Sequence, residues 1–372
     1  MSAPQDNGWK NNNFDFLRFV GALLVFVSHA TFIPTGTLWA DPLYAASNGQ
    51  MTLGWIGVGL FFVVSGFLIT APWERRRSPG AFTSARALRI YPALIAVVLG
   101  IFVVGSLIST DPDYFRGAPR YLGNIAVPFS DNQLPGVFRD QPAHTVSDNF
   151  WTLRYEIGCY ALLALMGTLR VWRRDTVLVL FLLVSGLFAL DPVTANNGWF
   201  DIPRYFLAGA VAYLYRGSIP WRPGLALLAL VGLTVTALTG GLKLGFPVFG
   251  TYLVLYLAYA PWLRAWRFGR RGDFSYGLYL SGFFIQQLVQ RANPGLGAVQ
   301  NFAVSFPLAL SVAALLWYAV EKPALAFKNA AGKPRGPRPE KVRPETAAPA
   351  QYTGLAVRRA PIKAQARREG GS

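Results

Sequence analysis

Apolar residues run along this chain in blocks of 15 to 20 positions, separated by shorter polar or basic stretches. A helix needs about 20 such residues to cross a hydrocarbon layer about 30 Å thick. The pattern predicts an all-α polytopic membrane protein with ten spans, at 15–34, 53–71, 90–109, 149–168, 176–190, 201–216, 223–240, 246–263, 274–292 and 301–320. The first block carries Arg18 and His29 and has no evident signal-peptidase site, so it reads as a retained helix. No internal repeat is visible.

Composition closes off the soluble alternatives. Of 372 residues, 53% are hydrophobic and only 14% charged, against about 25% charged in soluble domains. A water-exposed surface built from so few charges would carry large apolar patches. One cysteine and two histidines exclude a disulfide framework and a ligand-rich zinc site, so no metal is expected.

Charge placement supplies the orientation. The connectors Glu74–Arg89, Arg170–Arg174, Arg216–Arg222 and Arg264–Arg271 are Arg-rich. They alternate with Pro34–Thr52, which has no Lys or Arg, and with connectors carrying a single cation (Arg204, Lys243, Arg291). The longest connector, Thr110–Asp148, offsets three arginines with five aspartates. Basic connectors lie on the cytoplasmic side, so both termini are expected there, which requires an even number of spans and supports ten.

Three regions follow: a cytoplasmic N-terminal segment (1–14), a transmembrane domain (15–325) and a basic tail (326–372). From Lys328 to Ser372 there are eleven Lys/Arg against three acidic residues, a net +8 out of the chain's +17. Such a Pro-, Ala- and Arg-rich stretch cannot offset the entropy of folding and reads as a disordered cytoplasmic tail. Attraction to anionic lipid headgroups is favoured over a nucleic-acid-binding arm, and no nucleic-acid partner is expected.

Ionisable groups inside spans are costly and mark function by default. Arg18 and His29 are eleven residues apart on the first span. At about 100° per residue they share a face, offset by about 20° and separated by about 16.5 Å along the axis. The plainer readings are a cytoplasmic anchor paired with Asp15 for Arg18, and a packing histidine bonded to a carbonyl for His29. Glu156 enters its span from outside in Asn149-Phe-Trp-Thr-Leu-Arg-Tyr-Glu156, about 10 Å deep and level with His29. A carboxylate there could fix the imidazole tautomer and raise its basicity; the alternative is a pairing with an arginine elsewhere in the bundle. Arg154 lies about 200° around the helix from Glu156 and is a poor partner for it. Gly57, Gly59, Ser65 and Gly66 on the second span permit close approach of a helix or a ligand. Arg86 and Arg89 are neighbours at i, i+3 and could grip phosphates, or simply anchor the third span.

Six motifs in order give the chain a family resemblance. They are Asp15-Phe-Leu-Arg18 followed by His29, Phe61-Phe62-Val-Val-Ser65-Gly66-Phe67, Arg86-Ala-Leu-Arg89-Ile-Tyr-Pro92, Trp151-Thr152-Leu153-Arg-Tyr-Glu156, Phe274-Ser275-Tyr276-Gly-Leu-Tyr279-Leu280, and Tyr318-Ala-Val-Glu321-Lys-Pro323. Together, over about 15–325, they resemble the acyltransferase-3 family of integral membrane acyltransferases. Where that family usually has a histidine after its Tyr-Leu segment, this chain has Ser281-Gly282, so no role is carried over there. The tail does not resemble the esterase-like domain some members carry.

The resemblance implies O-acyl transfer, commonly of acetyl, from cytoplasmic acyl-CoA to a hydroxyl of a cell-envelope or secreted glycan, at the inner membrane. His29 would then be the general base or the acyl acceptor, with Glu156 orienting it. Arg18, Arg86 and Arg89 would bind acyl-CoA, while Ser65, Trp151 and Tyr276 line the site. The bilayer, the glycan acceptor and glycan-assembly enzymes are the implied partners, with acyl-CoA as donor and no bound cofactor. The same intramembrane His, Glu and Arg would suit a transporter or flippase, and within the enzyme class an antibiotic-sugar acyltransferase is the rival.

Overall fold

Local capping chemistry decides where two of the key helices begin. The Thr52 hydroxyl accepts from the Trp55 amide at 3.0 Å, and the Ser78 hydroxyl from the Ala81 amide at 3.4 Å with Pro79 following. Ser then Pro is a strong helix-start signal. The third apolar helix therefore begins at Pro79, eleven residues before the expected span, and carries Arg86 and Arg89 within it. Their charges had suggested a connector.

The computed structural model describes residues 12–331, except 127, 129, 191–197, 262, 264–267 and 271. The first eleven residues and the expected tail beyond 331 lie outside the described residues. The long helices are α1 Phe14–Thr35, α2 Leu53–Arg76, α3 Pro79–Ile108, α4 Trp151–Thr168, α5 Arg174–Leu190, α6 Asp201–Leu214, α7 Pro223–Leu238, α8 Leu242–Ala258, α9 Ser275–Ala292 and α10 Ala298–Leu316. No strand occurs among the described residues. Helices α1, α2 and α3, and α10 with its extension to Phe327, are long and apolar enough to cross a membrane by length and composition. Leucines such as Leu182 and Leu183 on α5 and Leu227, Leu228 and Leu230 on α7 stand exposed. Apolar exposure on this scale belongs to a lipid-facing surface. This is an all-helical membrane protein.

Helix α2 sits centrally because its small residues let two neighbours come close. A Cβ on Gly57 would lie 2.4 Å from the Gly21 carbonyl oxygen of α1. One on Gly66 would overlap the Phe206 carbonyl oxygen of α6 at 1.9 Å, and one on Gly209 would lie 2.1 Å from that of Val63. Gly57 and Gly66 thus serve helix packing, as small residues do where no water-driven burial is available. Ser65, between them, faces inward.

Two irregularities matter for the site. After Leu316, α10 continues through a π turn, Trp317–Glu321, into a further helix, Lys322–Ala331. The extra residue of a π turn re-aims the side chains around it, and Glu321 ends up 2% exposed. Helix α8 also contains a π segment, Phe246–Gly250, and ends at Ala258 rather than the expected 263.

Arg204, counted among the connector cations, lies inside α6 and is fully buried. It donates to Asp201 and has the Phe188 ring 3.5 Å from its guanidinium carbon. The long connector between α3 and α4 folds over one end of the bundle through short helical turns. There α9 holds it, the Gln287 amide donating to the Ala143 and Thr145 carbonyls at 2.7 and 2.8 Å.

Candidate functional site

Two cavities open between α1, α2, α4 and α9. Helix periodicity decides which side chains enter them. On α2 the residues 54, 55, 58, 61, 62, 64, 65, 68 and 69 border them, most of them recurring at three- or four-residue steps.

The first cavity, about 120 Å³, is bordered by Arg18 of α1, Ser65 of α2, Arg86 and Arg89 of α3, Glu156 and Tyr160 of α4, and Tyr276 of α9. Its cations are largely spoken for. Arg18 meets Asp273 at 2.5 Å, and Arg89 bridges Asp273 at 2.7 Å and Glu321 at 2.5 Å. Burial works against the Asp273 charge, but Arg18, Arg89 and the Ser275 hydroxyl outweigh it and hold the carboxyl at about 2. The Arg89 guanidinium also stands 5.2 Å from the centre of the Tyr276 ring. Arg18 and Arg89, expected to grip phosphates, are thus both engaged by carboxylates in this structure. Nor is Asp15 the ion partner of Arg18. Arg86 differs, making no ion pair among the described residues and lying 5.9 Å from the Tyr160 ring centre.

The second cavity, about 320 Å³, is lined by His29 and Ser28 of α1, Trp55 of α2, Asp148, Asn149 and Trp151 at the start of α4, and Phe283 of α9. The His29 ring meets Phe283 edge-on at 5.0 Å. Neither of its nitrogens hydrogen-bonds another described residue, so it is not the carbonyl-satisfied packing histidine. Ser28 donates to buried Asp41 at 2.6 Å, and Asp41 also accepts from the Leu53 amide at 3.1 Å, pinning α1 to the start of α2 beside the imidazole. Trp55 and Trp151 lie side by side, centroids 5.3 Å apart and planes tilted by 30°.

The expected contact between Glu156 and His29 is absent. Glu156 accepts a hydrogen bond from Tyr160, whose oxygen is 3.1 Å from that of Ser65. The depth expected from sequence did not bring the two side chains into one cavity. Trp151 and Glu156 are five residues apart, which turns them about 140° from each other around α4. One side chain therefore enters the His29 cavity and the other the arginine cavity. Ser65 and Tyr276 line the arginine cavity, and Trp151 the histidine cavity.

A sequence profile described as an acyltransferase domain matches residues 11–321. The chain belongs to the acyltransferase-3 family. It is an O-acyltransferase. Nodulation protein 10 of Rhizobium leguminosarum bv. viciae is 28% identical over 359 residues, covering 86% of this chain and 94% of that one. The O-acetyl transferase of Shigella phage Sf6 is 25% identical, covering 84% and 96%. The exopolysaccharide production protein ExoZ of Rhizobium meliloti (strain 1021) is 29% identical, covering 67% and 81%. No solved structure matches.

Within this acyltransferase-3 chain, four site residues had no role assigned from sequence. Tyr160 was within reach, since it follows Glu156 at i+4 and shares its face. Tyr279 and Glu321 stood in quoted motifs, but their partners came from distant helices. Asp273 stood in no motif, and nothing in its neighbours announces that two arginines converge on it.

Proposed function

We propose that the protein moves an acyl group, acetyl by preference, from cytoplasmic acyl-CoA to a hydroxyl of a cell-surface or secreted glycan. The observation that carries this reading is axial. The arginine cavity and the histidine cavity follow one another along the same three helices, α1, α2 and α9.

In this reading the chain crosses the inner membrane ten times with both termini cytoplasmic. The basic connectors put the arginine cavity at the cytoplasmic end, where CoA is found. Arg86, lacking a carboxylate partner among the described residues, makes the first contact with a donor phosphate. Arg18 and Arg89 follow only when a phosphate replaces Asp273. At the opposite end, Trp55 and Trp151 offer apolar faces to a sugar ring, and the Asp148 carboxylate and the Asn149 side-chain carbonyl, whose NH2 is taken up by the Tyr279 and Leu280 carbonyls, offer hydrogen-bond acceptors.

His29 removes the acceptor proton or carries the acyl group itself, since its nitrogens are uncommitted. Glu156, with Tyr160 and Ser65, acts on the donor side rather than as a partner of His29. The thioester C–S bond breaks, an ester C–O bond forms, and the hydroxyl proton ends on His29 or solvent.

The test is NMR of envelope and secreted polysaccharides from a deletion strain and its complement, together with purified protein given radiolabelled acetyl-CoA. Loss of an O-acetyl signal and glycan-dependent CoA release are expected. Unchanged acetylation with no use of acetyl-CoA would remove the proposal.

A further inference from the structure

Along α2 the side chains entering the histidine cavity are Gly54, Trp55 and Val58, and those entering the arginine cavity start again at Val58. Along α9, Tyr276 faces the arginine cavity, Phe283 the histidine cavity and Tyr279 both. Among the described residues only Val58 and Tyr279 border both. Two chambers thus stand end to end, with one valine and one tyrosine where they meet.

Both side chains are held. The Tyr279 hydroxyl donates to the Asn149 carbonyl at 2.5 Å, which leaves it to accept from the Thr152 hydroxyl, also at 2.5 Å. Its ring packs edge-on against Phe61 at 5.8 Å. Swinging the ring aside would break two buried hydrogen bonds. Val58 is 5% exposed, and its β-branched side chain has little rotamer freedom.

We infer that Val58 and Tyr279 form the partition between a donor chamber and an acceptor chamber, and that the gap between them selects the length of the acyl group transferred. This rests on the acyl-transfer reading. The CoA thiolate departs on the arginine side as the C–S bond breaks. Only the acyl carbonyl and its chain pass the partition to form the new bond, and the acceptor proton is taken on the His29 side. A chain one methylene longer must fit the same fixed gap. Pockets of unyielding apolar shape discriminate about 10- to 200-fold per methylene.

Everted membrane vesicles from the producing strain contain the native acceptor and expose the donor face. They would be supplied with radiolabelled acetyl-, propionyl- or butyryl-CoA, and the label in glycan measured. Val58→Ala is expected to raise the butyryl-to-acetyl ratio about tenfold. Val58→Ile should lower it. Val58→Phe should cut acetyl transfer at least tenfold in protein that still inserts and unfolds at the wild-type temperature, a readout that certifies folding. A Val58→Ala ratio within about twofold of wild type, or full transfer by Val58→Phe, overturns the partition. Wild-type vesicles that transfer no acyl group at all would overturn the acyl-transfer reading itself, a distinct result.

Discussion

The two ends of the site solve opposite problems. At the arginine end, Arg18, Arg89, Asp273 and Glu321 form a closed set of two cations and two anions, with Glu321 2% exposed. At the histidine end, an imidazole with no hydrogen-bond partner among the described residues stands among Phe283, Trp55 and Trp151. The first region commits its charge to ion pairs and leaves Arg86 without one; the second leaves its imidazole uncommitted and fixes it by packing. Position in a motif therefore says less about a residue's role than whether its partners are already satisfied.

The comparison breaks first at His29. His29→Ala should lower transfer by about 10²–10⁴-fold at matched expression and insertion, measured as acetyl incorporation into glycan. An active variant would return His29 to packing. Arg89→Ala comes next. It leaves Glu321 buried and unpaired, so about 3–5 kcal/mol of stability should go, read as a lower detergent unfolding temperature. Unchanged stability would mean that the network is not structural.

Arg86→Ala should leave stability nearly intact and raise KM for acetyl-CoA about 10- to 100-fold, as loss of one charge-assisted contact of about 1.5–3 kcal/mol implies. Its effect should fade at high donor concentration. If Arg86 and Arg89 variants behave alike, the division of labour between them fails.

The smallest effect is that of pH. The Asp273 carboxyl is held at about 2, below its unfolded value of about 3.9. It contributes about 2 kcal/mol that is fully present above about pH 4 and lost as pH falls toward 2. Stability of wild type and Asp273→Asn should therefore converge on acidification, and a constant difference would contradict the ion-pair account.

Much of this was legible in sequence. The apolar blocks located both ends of α1 and the start of α2 nearly to the residue, because membrane helices announce themselves by length; the end of α2, at Arg76, runs five residues past the apolar block. Arg18 and His29 read correctly as one face of one helix, since that rests on periodicity alone. What failed was the setting of one helix against another: Glu156 lines the arginine cavity and His29 the histidine cavity, and nothing within α4 states how it is placed against α1. Asp273 escaped for a related reason, being a short-range neighbour of Ser275 and a long-range neighbour of everything that gives it meaning. The start of α3 was misplaced because five arginines outweighed Ser78-Pro79 in the reading, although capping acts locally and charge does not prevent a helix.

The meeting of two cavities without merging has an electrical consequence. A continuous aqueous bore would let ions run down the membrane potential, each charge carrying about 2.3 kcal/mol per 100 mV. An acyl carbonyl is neutral and crosses the field without electrical work, whereas the CoA polyanion would not. If Val58 and Tyr279, both buried, partition the two chambers as proposed, an acyl fragment passes between them while the membrane stays insulating and charged.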